Sequence, residues 1–140
     1  MPIEANTALL ERLGEAYDRQ DWDAYRELVA PDIALHEPQV VEAQGVGEYM
    51  RHLQRSQAAF PDQVGTVEDF IVTEDRAVLR WTIHATHSAE WLGIPATGRR
   101  IESKAVAIYR FADGKLAEEW IYSDTLGLLK QLGAAPASPQ

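Results

Sequence analysis

None of the 140 residues is cysteine, which excludes a disulfide framework, a thiolate metal site and a cysteine nucleophile. Basic residues are also scarce, with 13 Lys and Arg against 22 Asp and Glu and a formal charge of −9. Because nucleic-acid affinity comes largely from cations that displace counterions, no nucleic-acid partner is expected. No apolar run approaches the about 20 residues that cross a bilayer, so no membrane partner is expected either. The opening residues Met1-Pro2-Ile3-Glu4-Ala5 lack the basic and apolar regions of a signal peptide, and a cytoplasmic location follows as the expectation. The chain has no glycine-rich phosphate loop, no dinucleotide fingerprint and no Ser-His-Asp pattern. His84 and His87 are three residues apart, hence on opposite faces of a strand, and no metal site or cofactor is expected.

What is present describes one globular domain over residues 1–132, with a flexible tail at 133–140 rich in Ala, Pro and Ser. From Asn6 to Asp18, Leu9, Leu10, Leu13, Ala16 and Tyr17 recur at helical spacing, with Asn6 or Thr7 as cap. Asp21 caps a second helix that carries Tyr25, Leu28 and Val29 until Pro31. Ile33 to Glu37 reads as a short strand, the polar stretch to Gly45 as a loop, and Val46 to Phe60 as a third helix.

The period then changes to two. Val64–Thr73, Arg76–His87, Arg99–Phe111 and Lys115–Ser123 read as strands of a meander, with Asp113-Gly114 as the clearest hairpin turn. Asp124 then caps a short closing helix built on Leu126, Leu128, Leu129 and Leu132. Helices first and strands afterwards predict an α+β fold. Strands this long twist, so the expected form is a cone-shaped, curved antiparallel sheet with the N-terminal helices over its concave face, enclosing a cavity.

The segment Thr86-His87-Ser88-Ala89-Glu90-Trp91-Leu92-Gly93-Ile94-Pro95-Ala96-Thr97-Gly98-Arg99-Arg100 closely resembles the SnoaL-like polyketide cyclase (ester cyclase) family. Tyr109-Arg110-Phe111-Ala112-Asp113-Gly114-Lys115-Leu116 and Asp124-Thr125-Leu126-Gly127-Leu128-Leu129-Lys130-Gln131-Leu132-Gly133 follow in that family's order. Trp22-Asp23, Ala30-Pro31-Asp32, His36-Glu37-Pro38 and Phe60-Pro61-Asp62 extend the likeness across the first half. The resemblance implies the nuclear transport factor 2-like cone, shared with ketosteroid isomerases, scytalone dehydratase and limonene epoxide hydrolases, and a homodimer joined through the outer face of the sheet. It also implies a polyketide-like ester as substrate. The positions at which the family's cyclases carry an acid/base Asp and a neighbouring His are occupied here by Ile121 and Ala107.

Other side chains must then carry any chemistry. Asp124 is the first candidate general base, as in epoxide hydrolase-like members, or it is simply the N-cap of the closing helix. Glu37 before Pro38 resembles the ketosteroid isomerase base, and His36 beside it must point to the opposite strand face. Glu119 shares parity with Ile121, so it faces the cavity, or it is an exposed carboxylate paired with Lys104 or Arg110. Ala105 and Ala107 belong to the same wall and leave room for a ligand. Trp81, Trp91, Tyr17, Tyr25 and Tyr49 line an aromatic pocket or pack as core. The expected activity is cofactor-free acid/base cyclisation or isomerisation of an apolar carbonyl substrate by Asp124, with Glu37 or His36 assisting. Trp81, Tyr17, Tyr49, Ala105, Ala107, Glu119 and Ile121 are the expected substrate contacts. Two alternatives stand beside it, a small-ligand binding protein and an epoxide hydrolase with Arg80 as electrophile.

Overall fold

The computed structural model describes residues 2–134. The tail expected at 133–140 therefore falls almost wholly outside the described residues. Helix α1 (Ile3–Asp18) and the short α2 (Trp22–Glu27) open the chain, followed by strands β1 (Val29–Glu37) and β2 (Val41–Gln44), then helix α3 (Val46–Ala59). Strands β3 (Val64–Val72), β4 (Arg76–Thr86), β5 (Arg100–Ala112) and β6 (Lys115–Ser123) come next, and α4 (Thr125–Gln131) ends the fold.

The six strands form one curved, unclosed sheet in the order β2-β1-β6-β5-β4-β3. All neighbours are antiparallel except β1 and β6, which run parallel with Leu35 opposite Glu119. That parallel pair, the β2 strand and the length of β1 are departures from the sequence expectation. Pro31 lies inside β1 rather than ending a helix. Its missing N–H is tolerated because the β1–β6 register shifts between Val29 and Ala34.

Asn6 also differs from its expected role. Helix α1 starts earlier, after Pro2, and the fully buried Asn6 amide donates to the Thr73 and Glu74 carbonyls at 2.9 Å each. It thereby ties α1 to the β3–β4 turn. Asp21 and Asp124 do cap, their carboxylates accepting from the backbone N–H of Ala24 and Gly127. The β5–β6 turn places Asp113 and Gly114 both at positive φ, 52° and 76°, the conformation of a two-residue hairpin whose twist matches the strands.

Leu9, Leu13, Ala16, Tyr25, Ile33, Leu35, Tyr49 and Met50 form the main core between helices and sheet. A second cluster joins Leu128 and Leu132 of α4 to Ala59, Phe60, Ala85 and Ile101. His87 is fully buried at the root of the 87–99 loop. Its backbone pairs with Arg99 and Gly98, and its Nδ1 lies 2.9 Å from the Thr97 hydroxyl. These contacts hold the root of the loop in place.

Candidate active site

Strand parity divides the sheet into two faces. Leu79, Trp81 and Ile83 of β4, Ile101, Ser103, Ala105 and Tyr109 of β5, and Glu119, Ile121 and Ser123 of β6 all line a cavity of about 590 Å3. Tyr17, Tyr25, Tyr49 and His52 close it from the helices, and Trp91 and Leu92 from the 87–99 loop. Most of its wall is aliphatic or aromatic. The charged side chains in the wall are Glu11, Asp18, Glu37 and Glu119, with neither Lys nor Arg among them.

Glu119 is the most deeply set of these, 5% exposed. Its Oε1 accepts a hydrogen bond of 2.7 Å from the Tyr49 hydroxyl. Since Tyr49 has one hydroxyl proton and gives it to the carboxylate, Tyr25, whose oxygen lies 3.0 Å from that of Tyr49, must be the donor in the second link. Tyr25–Tyr49–Glu119 is therefore a directed relay that holds the carboxylate in one orientation. Burial pushes the Glu119 carboxyl up to about 7; the Tyr49 bond lowers it, and the charge of Glu37 raises it further. The second oxygen, Oε2, has no hydrogen-bond partner among the described residues and is not shut away from the cavity.

Glu37 ends β1 in the same cavity, with its Oε2 accepting 2.9 Å from the Ser123 hydroxyl. Burial raises its carboxyl too, against the lowering effect of that bond. His52 Nε2 stands 3.9 Å from Glu37 Oε1, too far for a hydrogen bond. Burial and the nearby Arg55 charge depress the His52 imidazole to about 4, so it is neutral at physiological pH and the contact is not an ion pair. Its ring packs 5.6 Å from that of Trp91.

Several expected site residues stand elsewhere. Asp124 caps α4 at 2.9 Å from Gly127 N and borders a shallow polar hollow with Glu102, Lys104 and Gln131, separate from the cavity. At the start of α4 its carboxylate is engaged by the helix's own backbone N–H, and Asp124 is not among the residues of the cavity wall. His36 lies on the outer face because it alternates with Glu37. There its two ring nitrogens contact Glu42 and Glu118, and its ring stacks on Trp120 at 5.7 Å. Arg80 is on that outer face as well, paired with Asp69 at 2.7 Å, which removes the electrophile of the epoxide hydrolase reading. Ala107 faces inward but is packed shut, 1% exposed, and is absent from the wall. Trp81, Tyr17, Tyr49, Ala105, Glu119 and Ile121 are all in it.

The β5–β6 register makes the arrangement simple. Ala107 pairs with Ile121, and two residues along on the same face Tyr109 pairs with Glu119. The first rung is apolar. The second bears an acid and a phenol, and Tyr109 was not among the residues singled out from sequence, although it shares the parity of Ala105 and Ala107. His52 was missed similarly, though it lies three residues after Tyr49 on the same helix stripe.

A family model for SnoaL-like polyketide cyclase matches residues 7–132. The chain belongs to the SnoaL-like polyketide cyclase family. Among its relatives, the aklanonic acid methyl ester cyclase DauD of a Streptomyces species is 25% identical over 139 residues, covering 94% of this chain and 84% of that protein. The crystal structure of IdmH, a candidate polyketide cyclase from Streptomyces antibioticus, is similar with 34% identity and a TM-score of 0.74, over 91% of this chain and 97% of that one. AclR of Streptomyces galilaeus, a candidate hydroxylase, gives 30% identity and a TM-score of 0.81 over 99% and 91%. The SnoaL-like fold is thus shared with relatives assigned more than one chemistry. Among the described residues no helix is long and apolar enough to cross a membrane.

Proposed function

We propose that this SnoaL-like protein catalyses acid/base cyclisation or isomerisation of an apolar, neutral carbonyl compound, of the polyketide ester type, with Glu119 as the base. The observation that carries this reading is the buried Glu119 carboxylate, fixed through Oε1 by Tyr49 and open through Oε2 to an apolar cavity. A base whose pKa lies near 7 combines a useful ionised fraction with enough basicity to take a proton next to a carbonyl. The proton leaves the α-carbon for Oε2 and the C–H electrons form the enolate. The enolate carbon then adds to a ketone carbonyl of the same molecule, and Glu119 returns the proton to the new alkoxide. Atoms and charge balance without a co-reactant. The cavity holds the two carbons together and excludes water.

Four carboxylates and no cation in the wall disfavour an anionic ligand and support an ester over a free acid. Burial keeps the proton affinity of Glu119 high, and Glu37, hydrogen-bonded by Ser123, adds to it through its charge. We also propose a homodimer through the outer sheet face. Ile71, Ile108 and Tyr122 are exposed there at 58%, 38% and 56%, among residues of both charge signs such as Arg110 and Glu118, a mixture that can meet its own copy. Sedimentation should return twice the chain mass.

The catalytic reading is tested by an NMR time course of α-proton exchange and ring closure on a panel of β-keto methyl esters. Wild type should exchange or cyclise them, and folded Glu119→Gln should not. Exchange retained in Glu119→Gln removes the assignment of the base. Binding without exchange by the wild type supports instead the non-catalytic ligand-binding reading.

A further inference from the structure

Tyr109 lines the cavity directly opposite Glu119 on the neighbouring strand. Facing side chains on an antiparallel pair begin about 5 Å apart, so phenol and carboxylate border the same small volume. Across β4 the register partner of Tyr109 is Ala77, and the ring packs against the main core cluster to which Ala77 belongs. The three other tyrosines of the cavity wall spend their hydroxyl protons on side chains, Tyr25 on Tyr49, Tyr49 on Glu119 and Tyr17 on Gln63. Tyr109 has no hydrogen-bond partner among the described residues, and its oxygen is not one of the buried polar atoms sealed off without a partner. The hydroxyl therefore reaches the cavity with its proton uncommitted to any other side chain, a donor that a bound ligand can take up.

We propose that the Tyr109 hydroxyl is the donor that grips the substrate's carbonyl oxygen and carries the charge of the enolate formed when Glu119 takes the α-proton. Donor and base then approach the same carbonyl unit from adjacent strands, the hydroxyl at oxygen and the carboxylate at the α-carbon. As the C–H bond breaks, the electron pair moves through the new C=C bond onto oxygen, where the O–H of Tyr109 shortens its hydrogen bond without giving up its proton. The phenol stays protonated, since burial and the neighbouring Glu119 charge both raise its pKa well above that of free tyrosine. A donor aimed at charge that develops only in the transition state acts on kcat more than on KM.

This assignment rests on the reading of Glu119 as base, and the experiment separates the two. An apolar aryl ketone labelled with 13C at its carbonyl is bound to wild type, Tyr109→Phe and Glu119→Gln. Its carbonyl resonance and its α-proton exchange are then followed. Expected is a downfield carbonyl shift in wild type and Glu119→Gln, lost in Tyr109→Phe, together with a fall of about 100-fold or more in the exchange rate of Tyr109→Phe at little change in binding. Tyr109→Phe keeps the ring and its packing, so folding is not in question. If Tyr109→Phe keeps both the shift and the exchange while Glu119→Gln loses exchange, the proposal for Tyr109 is overturned and the base stands. If the shift disappears in Tyr109→Phe but Glu119→Gln still exchanges, the carbonyl grip stands and the base is wrong. A labelled ketone that wild type binds without any carbonyl shift overturns the proposal.

Discussion

Glu118 and Glu119 are consecutive, chemically identical and on the same strand, yet the sheet gives them opposite tasks. Glu118 points out, where it accepts from His36 Nε2 at 2.7 Å and Arg110 Nε at 3.1 Å, and these partners hold its carboxyl below the ordinary range. Glu119 points in, loses its water, and is pushed up to about 7. The histidines repeat the contrast. His36 on the outer face is raised, chiefly by its bond to Glu118, whereas His52 inside falls to about 4 because burial penalises its charged form. Charged partners dominate one face and desolvation the other, so the same side chain becomes a structural ion or a proton-transfer group according to strand parity.

The largest expected break in that symmetry is in turnover. Glu119→Gln should lower kcat by about 10²–10⁴-fold, while Glu118→Gln leaves it within a factor of a few; equal losses in steady-state assays would show that parity does not separate the two roles. Next comes stability. The Glu119 carboxyl ordinarily titrates near 4.5 and in the fold near 7, so folding favours its protonated form. The stability associated with that form is full below about 4.5 and is lost as pH rises through 7, a change of about 3 kcal/mol. His52 has the opposite sign. Its folded value of about 4 lies below the ordinary 6.5, so its contribution is full above 6.5 and is lost as pH falls towards 4. Urea melts of wild type and Glu119→Gln at pH 5 and pH 8 isolate the first effect. The variant should gain about 3 kcal/mol relative to wild type between those values, and parallel curves would deny that Glu119 titrates there. A smaller effect should follow from Tyr49→Phe, which removes the donor that lowers Glu119. The inflection in kcat/KM, expected near pH 7 with activity rising on the alkaline side, should move up by about one unit.

Periodicity made most of the fold legible, because a buried face repeats at helical spacing in α1 and α3 and at every second residue along much of β5 and β6. What it could not show was long-range pairing. The parallel contact of β1 with β6 depends on where the chain returns after five intervening elements, and the four residues of β2 are too few to establish an alternation. Asn6 looked like a cap because its short amide suits that role, but the same amide suits two carbonyls of a distant turn. In the site, parity placed Glu119 and Ile121 on one wall and set His36 against Glu37, as observed. Parity also carried the information for Tyr109, two residues from Ala107. Distance into the cavity was not legible, since it depends on sheet curvature, and this is why Ala107 is sealed while Ala105 is in the wall.

Asp124 offers the last and smallest test, since its sequence context suited both a base and a cap. The structure has its carboxylate on Gly127 N at 2.9 Å, outside the cavity, with Leu128 of the helix it caps packed against Phe60 and Ile101. Removing the cap should free one backbone N–H at the start of α4 and loosen that end of the second core cluster. Asp124→Ala is therefore expected to cost about 1 kcal/mol in a urea melt and to leave the pH inflection of turnover near 7. Asp124→Asn retains a capping oxygen but no titratable charge, so it should restore most of the lost stability. A collapse of turnover in Asp124→Asn with its stability preserved would transfer the base from the inner wall to the helix cap, and with it the division of labour between the two faces.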